Sequence, residues 1–170
     1  MLTCRALVAW FALAASTAAV AAAPPDQDWP AYGGDPGGMK YSPLADIDTT
    51  NVVALKLAWQ WQTGEQPLAA YGTSPGMFEA TPLVVGGVMY LSTPYNRVVA
   101  LDAASGRELW AYDPEAYRDG QVPNGTGFVH RGVALWRDSR SGALRVLMNS
   151  RYRLIELDAN SINYLHKLQR

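Results

Sequence analysis

A single cysteine, Cys4, stands in the whole chain, and it lies in the first few residues. Once that segment is removed the protein has no thiol, no disulfide and no cysteine-based metal site. Histidine is nearly as scarce. His130 and His166 are the only two, and they share no ligand spacing with other candidate ligands, so no metal centre is expected. Charge of one sign is lacking as well. The 14 Lys and Arg nearly balance the 15 Asp and Glu, for a formal charge of −1. No basic run or acidic tail occurs, which removes the electrostatic footprint expected of a nucleic-acid or anionic-membrane binder. Aromatic residues do lie near Arg and Lys, but scattered, so stacked single strands are not expected either.

Long hydrophobic runs are also missing. Arg5 is followed by a short apolar stretch, Ala6 to Ala15, and then by small residues as far as Ala23. A positive start, a short apolar centre and small residues before Pro24-Pro25 are the parts of a secretory signal peptide, assigned to 1–23. Ala19-Val20-Ala21 and Ala21-Ala22-Ala23 both suit the peptidase, and Pro24 favours the earlier site. The stretch is too short and Ala-rich for a membrane span, so an uncleaved anchor is the weaker alternative. Cleavage removes Arg5, leaving 13 of the 14 basic residues against 15 acidic ones and a formal charge of −2. The expected location is periplasmic or secreted, with no integral membrane span afterwards. A glycine-rich phosphate loop is absent in effect. Gly33-Gly34-Asp35-Pro36-Gly37-Gly38 has the glycines but no strand before it, a proline within it and no helical pattern after it.

Tryptophan and tyrosine, by contrast, are abundant, at 6 and 9 residues beside 15 Gly and 11 Pro. That composition fits short strands joined by many turns. A short capped turn after Thr49 or Thr50 leads into an expected strand over Leu55–Gln62, where Leu55, Leu57, Trp59 and Trp61 alternate with polar or small residues. Pro82-Leu83-Val84-Val85 and Val88-Met89-Tyr90-Leu91-Ser92 flank Gly86-Gly87, a tight hairpin. Arg97–Asp102 and Glu108–Tyr112 supply third and fourth strands, together one four-stranded blade. After a loop from Asp113 to Phe128 the pattern returns at Gly132–Trp136, Arg145–Asn149 and Arg153–Asp158. Asn96–Ala103 matches Tyr152–Ala159 position by position, an internal repeat of the kind that builds propellers and solenoids. Helix content is expected to be low.

The segment Ala100-Leu101-Asp102-Ala103-Ala104-Ser105-Gly106-Arg107-Glu108-Leu109-Trp110 has a physical logic. Asp102 accepts backbone hydrogen bonds in the turn, Gly106 takes a positive φ, and Trp110 lies between blades with its N–H offered to a neighbouring carbonyl. This segment resembles the tryptophan-docking repeat of the PQQ-dependent quinoprotein alcohol and glucose dehydrogenases, with Ser105 where Thr is commoner. Trp29 to Leu44 resembles that family's leader, Asn51 to Trp59 its opening strand, Glu79 to Val84 the strand on which a Glu approaches the cofactor, and Val129 to Trp136 the segment that supplies an Arg. The likeness runs from about Asp28 to Ala159.

The resemblance implies an all-β fold. It is an incomplete propeller of the eight-bladed quinoprotein type, filling 24–170 with about two four-stranded antiparallel blades near 79–112 and 129–160. It implies oxidation of a small-molecule alcohol or sugar with pyrroloquinoline quinone (PQQ) and calcium. Cofactor contacts fall to Glu79, Arg131 and Asn149, and Arg131 suits a carboxylate because guanidinium is permanently charged and binds in a fork. The likeness also has gaps. Family calcium ligands and the catalytic Asp belong to later blades, so the chain is expected to be inactive alone. Val122–Gly127 lacks the adjacent cysteines of the methanol-oxidising branch. After Ser161 the repeat fails: Ile162 replaces the turn Gly, and His166 stands where the docking Trp belongs, which points to a truncation or change of frame. Two blades leave open sheet edges, which favour self-association. The alternatives are a non-catalytic envelope scaffold built from the same repeats, and a non-functional remnant. Asn124-Gly125-Thr126 fits a glycosylation acceptor but reads better as a turn.

Overall fold

The protein is described by a computed structural model covering residues 28–161 and 164–169. The segment 1–23, expected to be a signal peptide, lies outside the described residues. Among the described residues eight strands form two four-stranded sheets. The first holds β1 (Leu83–Val85), β2 (Val88–Ser92), β3 (Val98–Asp102) and β4 (Glu108–Tyr112), and the second β5 (Ala134–Arg137), β6 (Leu144–Ser150), β7 (Arg153–Asp158) and β8 (Tyr164–Gln169). Each strand pairs antiparallel with its successor. These are two propeller blades in sequence. Helix among the described residues is limited to three short 3-10 turns, at Val52–Ala54, Ala69–Tyr71 and Ala116–Asp119.

Local chemistry sets the turns. Gly86 and Gly87 have φ of 58° and 74°, so Val85 faces Val88 across a two-residue loop. Only left-handed residues let such a loop follow the strand twist. At the corner between β3 and β4 Asp102 accepts hydrogen bonds from the Ser105 N–H at 2.8 Å and the Ser105 hydroxyl at 2.7 Å. The hydroxyl first, and then that N–H, hold the Asp102 carboxyl below its ordinary value. In the second blade Asp138 repeats the device, lowered first by the N–H of Arg140 and then by the Ser141 hydroxyl.

The repeat extends into irregularities. Register slips between Ala100 and Leu101 where β3 meets β4, and between Glu156 and Leu157 where β7 meets β8, the same place in each blade. Ala100 faces Trp110, and Glu156 faces His166. So although the sequence leaves the repeat after Ser161, Tyr164–Gln169 still completes the second sheet in the register that the docking tryptophan sets in the first.

The core lies between sheets. Val98 and Ala100 turn one way, with Tyr90, and meet Val146, Met148, Ile155, Leu157 and Ala159 of the second blade. Val99 and Leu101 turn the other way, with Leu91, and are covered by Trp59 and Trp61. Strand residues alternate between faces, so β3 is apolar from Val98 to Leu101 because both of its faces are covered there. Fully burying one such side chain stabilises the fold by about 1.5–3 kcal/mol. A smaller cluster of Tyr95, Ala116 and Phe128 fills the loop that joins the blades. Arg151 holds that loop by donating to the Ala116 carbonyl at 2.7 Å and by lying over the Phe128 ring at 5.2 Å.

The strand expected over Leu55–Gln62 does not form. Trp59 and Trp61 are half-buried against the first blade, but Leu55 and Leu57 are 58% and 80% exposed, and no strand among the described residues pairs with the segment. The alternation reflected one buried face, and a strand needs a hydrogen-bonding partner as well. Trp59 instead repeats the role of Trp110. Trp59 Nε1 donates to the Ala103 carbonyl at 3.2 Å, and Trp110 Nε1 to the Ala159 carbonyl at 3.1 Å. Ala103 and Ala159 are the matching ends of the two Leu-Asp-Ala segments.

Glu65 fastens the same stretch to the first blade. Its carboxylate accepts hydrogen bonds from the Thr93 hydroxyl and from the Tyr95 N–H. Burial pushes Glu65 up, outweighing the hydrogen bonds from Thr93 and Tyr95 that favour the charged form. A folded-state value raised above the unfolded one gives stability that is full below the ordinary range and is lost as pH rises through the raised value. The stability of wild type relative to Glu65→Gln should therefore fall as pH rises from below 4.5. The change should stay below about 1 kcal/mol, because the group is partly solvated. Urea titrations of both proteins across that range decide the sign, and a difference growing with pH would contradict it.

Candidate functional site

Two extended segments run side by side at the junction of the blades. Gly76 N–H donates to the Phe128 carbonyl at 2.9 Å, and Thr81 N–H to the Arg131 carbonyl at 3.0 Å. The approach is close enough that a Cβ on Gly132, whose φ is 138°, would sit 3.0 Å from the Thr81 carbonyl oxygen. This pairing sets Glu79 beside Arg131. Glu79 Oε2 lies 3.2 Å from Arg131 Nη2, with the arginine side chain 84% exposed and the glutamate 29%. An ion pair so open to water is worth about 1 kcal/mol or less, so it does little to hold the guanidinium back from an anionic ligand.

Arg131 and Asn149 line one cleft of about 470 Å³ together with Tyr32, Thr81 and His130. Asn149 lies on β6 and is exposed. Glu79 does not line the cleft and reaches it through Arg131. A second cleft of about 270 Å³, bounded by Asn96, Phe128 and Arg151, shares His130 and Asn149 with the first. The structure thus brings Arg131 and Asn149 to one cavity, with Glu79 one contact away.

Tyr32, Thr81 and His130 also line it. The family likeness covers their segments but assigns them no cofactor contact, and the spacing rules weigh His130 only as a metal ligand. Tyr32 arrives on the leader loop because Trp29 pairs with Val84 through two backbone hydrogen bonds, of 2.7 and 3.0 Å. Among the described residues no three His, Cys, Asp or Glu side chains converge to hold a metal ion, and no helix is long and apolar enough to cross a membrane.

Residues 29–163 match the family model for the PQQ glucose/ethanol/alcohol dehydrogenase β-propeller domain. The chain is 50% identical over 94 residues to quinoprotein glucose dehydrogenase of Escherichia coli (strain K12), covering 53% of this chain and 11% of the relative. It is 40% identical over 131 residues to 1-butanol dehydrogenase (cytochrome c) of Thauera butanivorans, covering 77% of this chain and 17% of that one. The crystal structure of quinohemoprotein alcohol dehydrogenase from Comamonas testosteroni superposes with a TM-score of 0.62 at 32% identity, over 84% of this chain and 19% of the other. The chain therefore spans less than a fifth of these relatives' length, and its two blades are part of a propeller. With docking tryptophan, repeated Leu-Asp-Ala turns and paired blades in place, the chain belongs to the PQQ-type glucose/ethanol/alcohol dehydrogenase β-propeller family.

Proposed function

We propose that the chain is the amino-terminal part of an exported, periplasmic PQQ-dependent dehydrogenase of alcohols or sugars, that it supplies part of the cofactor site, and that it is inactive alone. The supporting observation is the exposed Arg131 guanidinium, opening into a cleft shared with Asn149 and tethered only loosely by Glu79. PQQ carries three carboxylates and an ortho-quinone. The residues present fit one portion of it: a guanidinium able to take a carboxylate in a fork and an amide able both to donate and to accept. Glu79 forms a solvent-exposed ion pair with Arg131 and would help to orient it. The charge of this guanidinium matches one of the three carboxylates, so the remaining contacts fall to further blades. When bound, the quinone accepts the two electrons and two protons that convert an alcohol to a carbonyl compound. Calcium belongs to the same expectation, and no step is assigned to it. Export rests on the signal-like segment 1–23.

Titrating PQQ, in buffer containing calcium, into the purified chain tests this reading. Saturable binding is expected, weakened by Arg131→Ala about 10- to 100-fold, since a hydrogen bond to a charged group contributes about 1.5–3 kcal/mol. Dye-linked turnover of alcohols and sugars should stay at background. Absence of any PQQ binding, or binding indifferent to Arg131, would overturn the assignment, and clear turnover would overturn the inactivity.

A further inference from the structure

His130 is 9% exposed, although its neighbour Arg131 stands in solvent. Its Nε2 lies 2.9 Å from the backbone carbonyl of Asn149. A carbonyl only accepts, so Nε2 carries the proton. Nδ1 lies 2.7 Å from Ser92 Oγ and 3.3 Å from the Gly132 N–H. An amide N–H only donates, so Nδ1 keeps its lone pair and the ring is neutral. Every polar atom of the imidazole is thereby assigned by its partners. Ser92 ends β2 in the first blade and Asn149 lies on β6 in the second. The ring therefore bridges the blades, and it lines both clefts.

We propose that His130 is a positioning residue: its neutral, Nε2-protonated ring fixes the backbone of residues 130–132 to both blades and so aims Arg131 and Asn149 at one ligand. The reading rests on the carboxylate-binding role given above to that cleft. Arg131 has little else to direct it. Its side chain meets one carboxylate, at 3.2 Å, and its carbonyl is held by Thr81. The other restraints on this stretch come from the imidazole, through the Gly132 N–H and through the Asn149 carbonyl. A histidine that merely filled the core would need neither a fixed tautomer nor a partner in each blade. Truncation would also strand the Ser92 hydroxyl, which is fully buried, and an unsatisfied buried polar group is costly.

Nitrogen-15 NMR of the histidine-labelled chain reads the tautomer directly. The His130 signal is identified by its loss in His130→Gln, and the Nε2–H form is expected. An Nδ1–H or a charged ring would overturn the proposal. In His130→Ala the amide signals of Arg131 and Gly132 should shift and broaden while those of β3 stay, and PQQ affinity should fall about tenfold, the size of one lost hydrogen bond. His130→Gln, whose side-chain amide can reach the Nε2 position, should recover most of both. Unmoved Arg131 and Gly132 signals in His130→Ala would sink the positioning role. If that variant does not fold, Ser92→Ala, which removes the side-chain partner at Nδ1, carries the same comparison. A wild-type chain that ignores PQQ would refute the cofactor reading alone, since tautomer and amide signals still decide this one.

Discussion

Trp110→Ala is expected to lower the unfolding free energy of the chain by about 3 kcal/mol, the lower end for truncating a large aromatic in a core. The lower end applies because the indole is half-buried. Its ring lies 6.1 Å from that of Tyr90 and packs against the cluster shared by the two blades. Its N–H reaches across to the Ala159 carbonyl. The substitution removes apolar contact and an inter-blade hydrogen bond at one position. Small domains have about 5–15 kcal/mol in total, so the loss is a large fraction of what the chain has. Trp110→Phe separates the two contributions. It keeps much of the packing and gives up the hydrogen bond, for a loss of about 1 kcal/mol. Urea unfolding followed by circular dichroism measures both. Equal midpoints for wild type and Trp110→Ala would mean that the indole does not join the blades.

Gly106→Val should cost roughly as much, by a different route. Gly106 has φ of 71°, where a side chain is strained by about 1–2 kcal/mol. A Cβ there would also lie 2.4 Å from the Trp59 ring. Either the indole leaves or the turn opens, and overpacking of this kind costs about 1–3 kcal/mol. Together the two come to about 3 kcal/mol, a rough sum. The position of the damage is diagnostic. Trp59 should lose its bond to Ala103, so its fluorescence should move toward that of a solvated indole, while the second blade keeps its contacts. Gly142→Val is the control. Its φ is also 71°, but nothing lies within 4 Å of a Cβ there. A Gly106 variant no worse than this control would remove the claim that Trp59 seats on the turn.

The parts of the fold legible in the sequence are those set by neighbours along the chain. Gly86-Gly87 dictates its hairpin, and Leu101-Asp102-Ala103 announces both its turn and its repeat at Leu157-Asp158-Ala159. The segment Leu55–Gln62 carries the alternation of a strand without being one: the pattern marks a half-buried face, that of Trp59 and Trp61, while strand pairing depends on a partner that periodicity does not reveal. The cleft was legible only through family likeness. No spacing rule joins Arg131 to Asn149, since β6 and the segment before β5 meet through the sheet. His130 drew notice only as a candidate metal ligand. Its work is set by Ser92, 38 residues away, and by a main-chain oxygen 19 residues away, neither visible to a reading of local pattern.

The acceptor of the inter-blade bond is a peptide oxygen. At Ala159 it receives both Trp110 Nε1 and the Tyr90 hydroxyl, at 3.1 and 3.2 Å, which occupies both of its lone pairs. Substitution can delete either donor, but no exchange of one amino acid for another deletes a carbonyl. The tie is thus vulnerable to mutation mainly from its donor side. Over generations an eroding repeat can discard its indole and still offer its neighbour an intact socket.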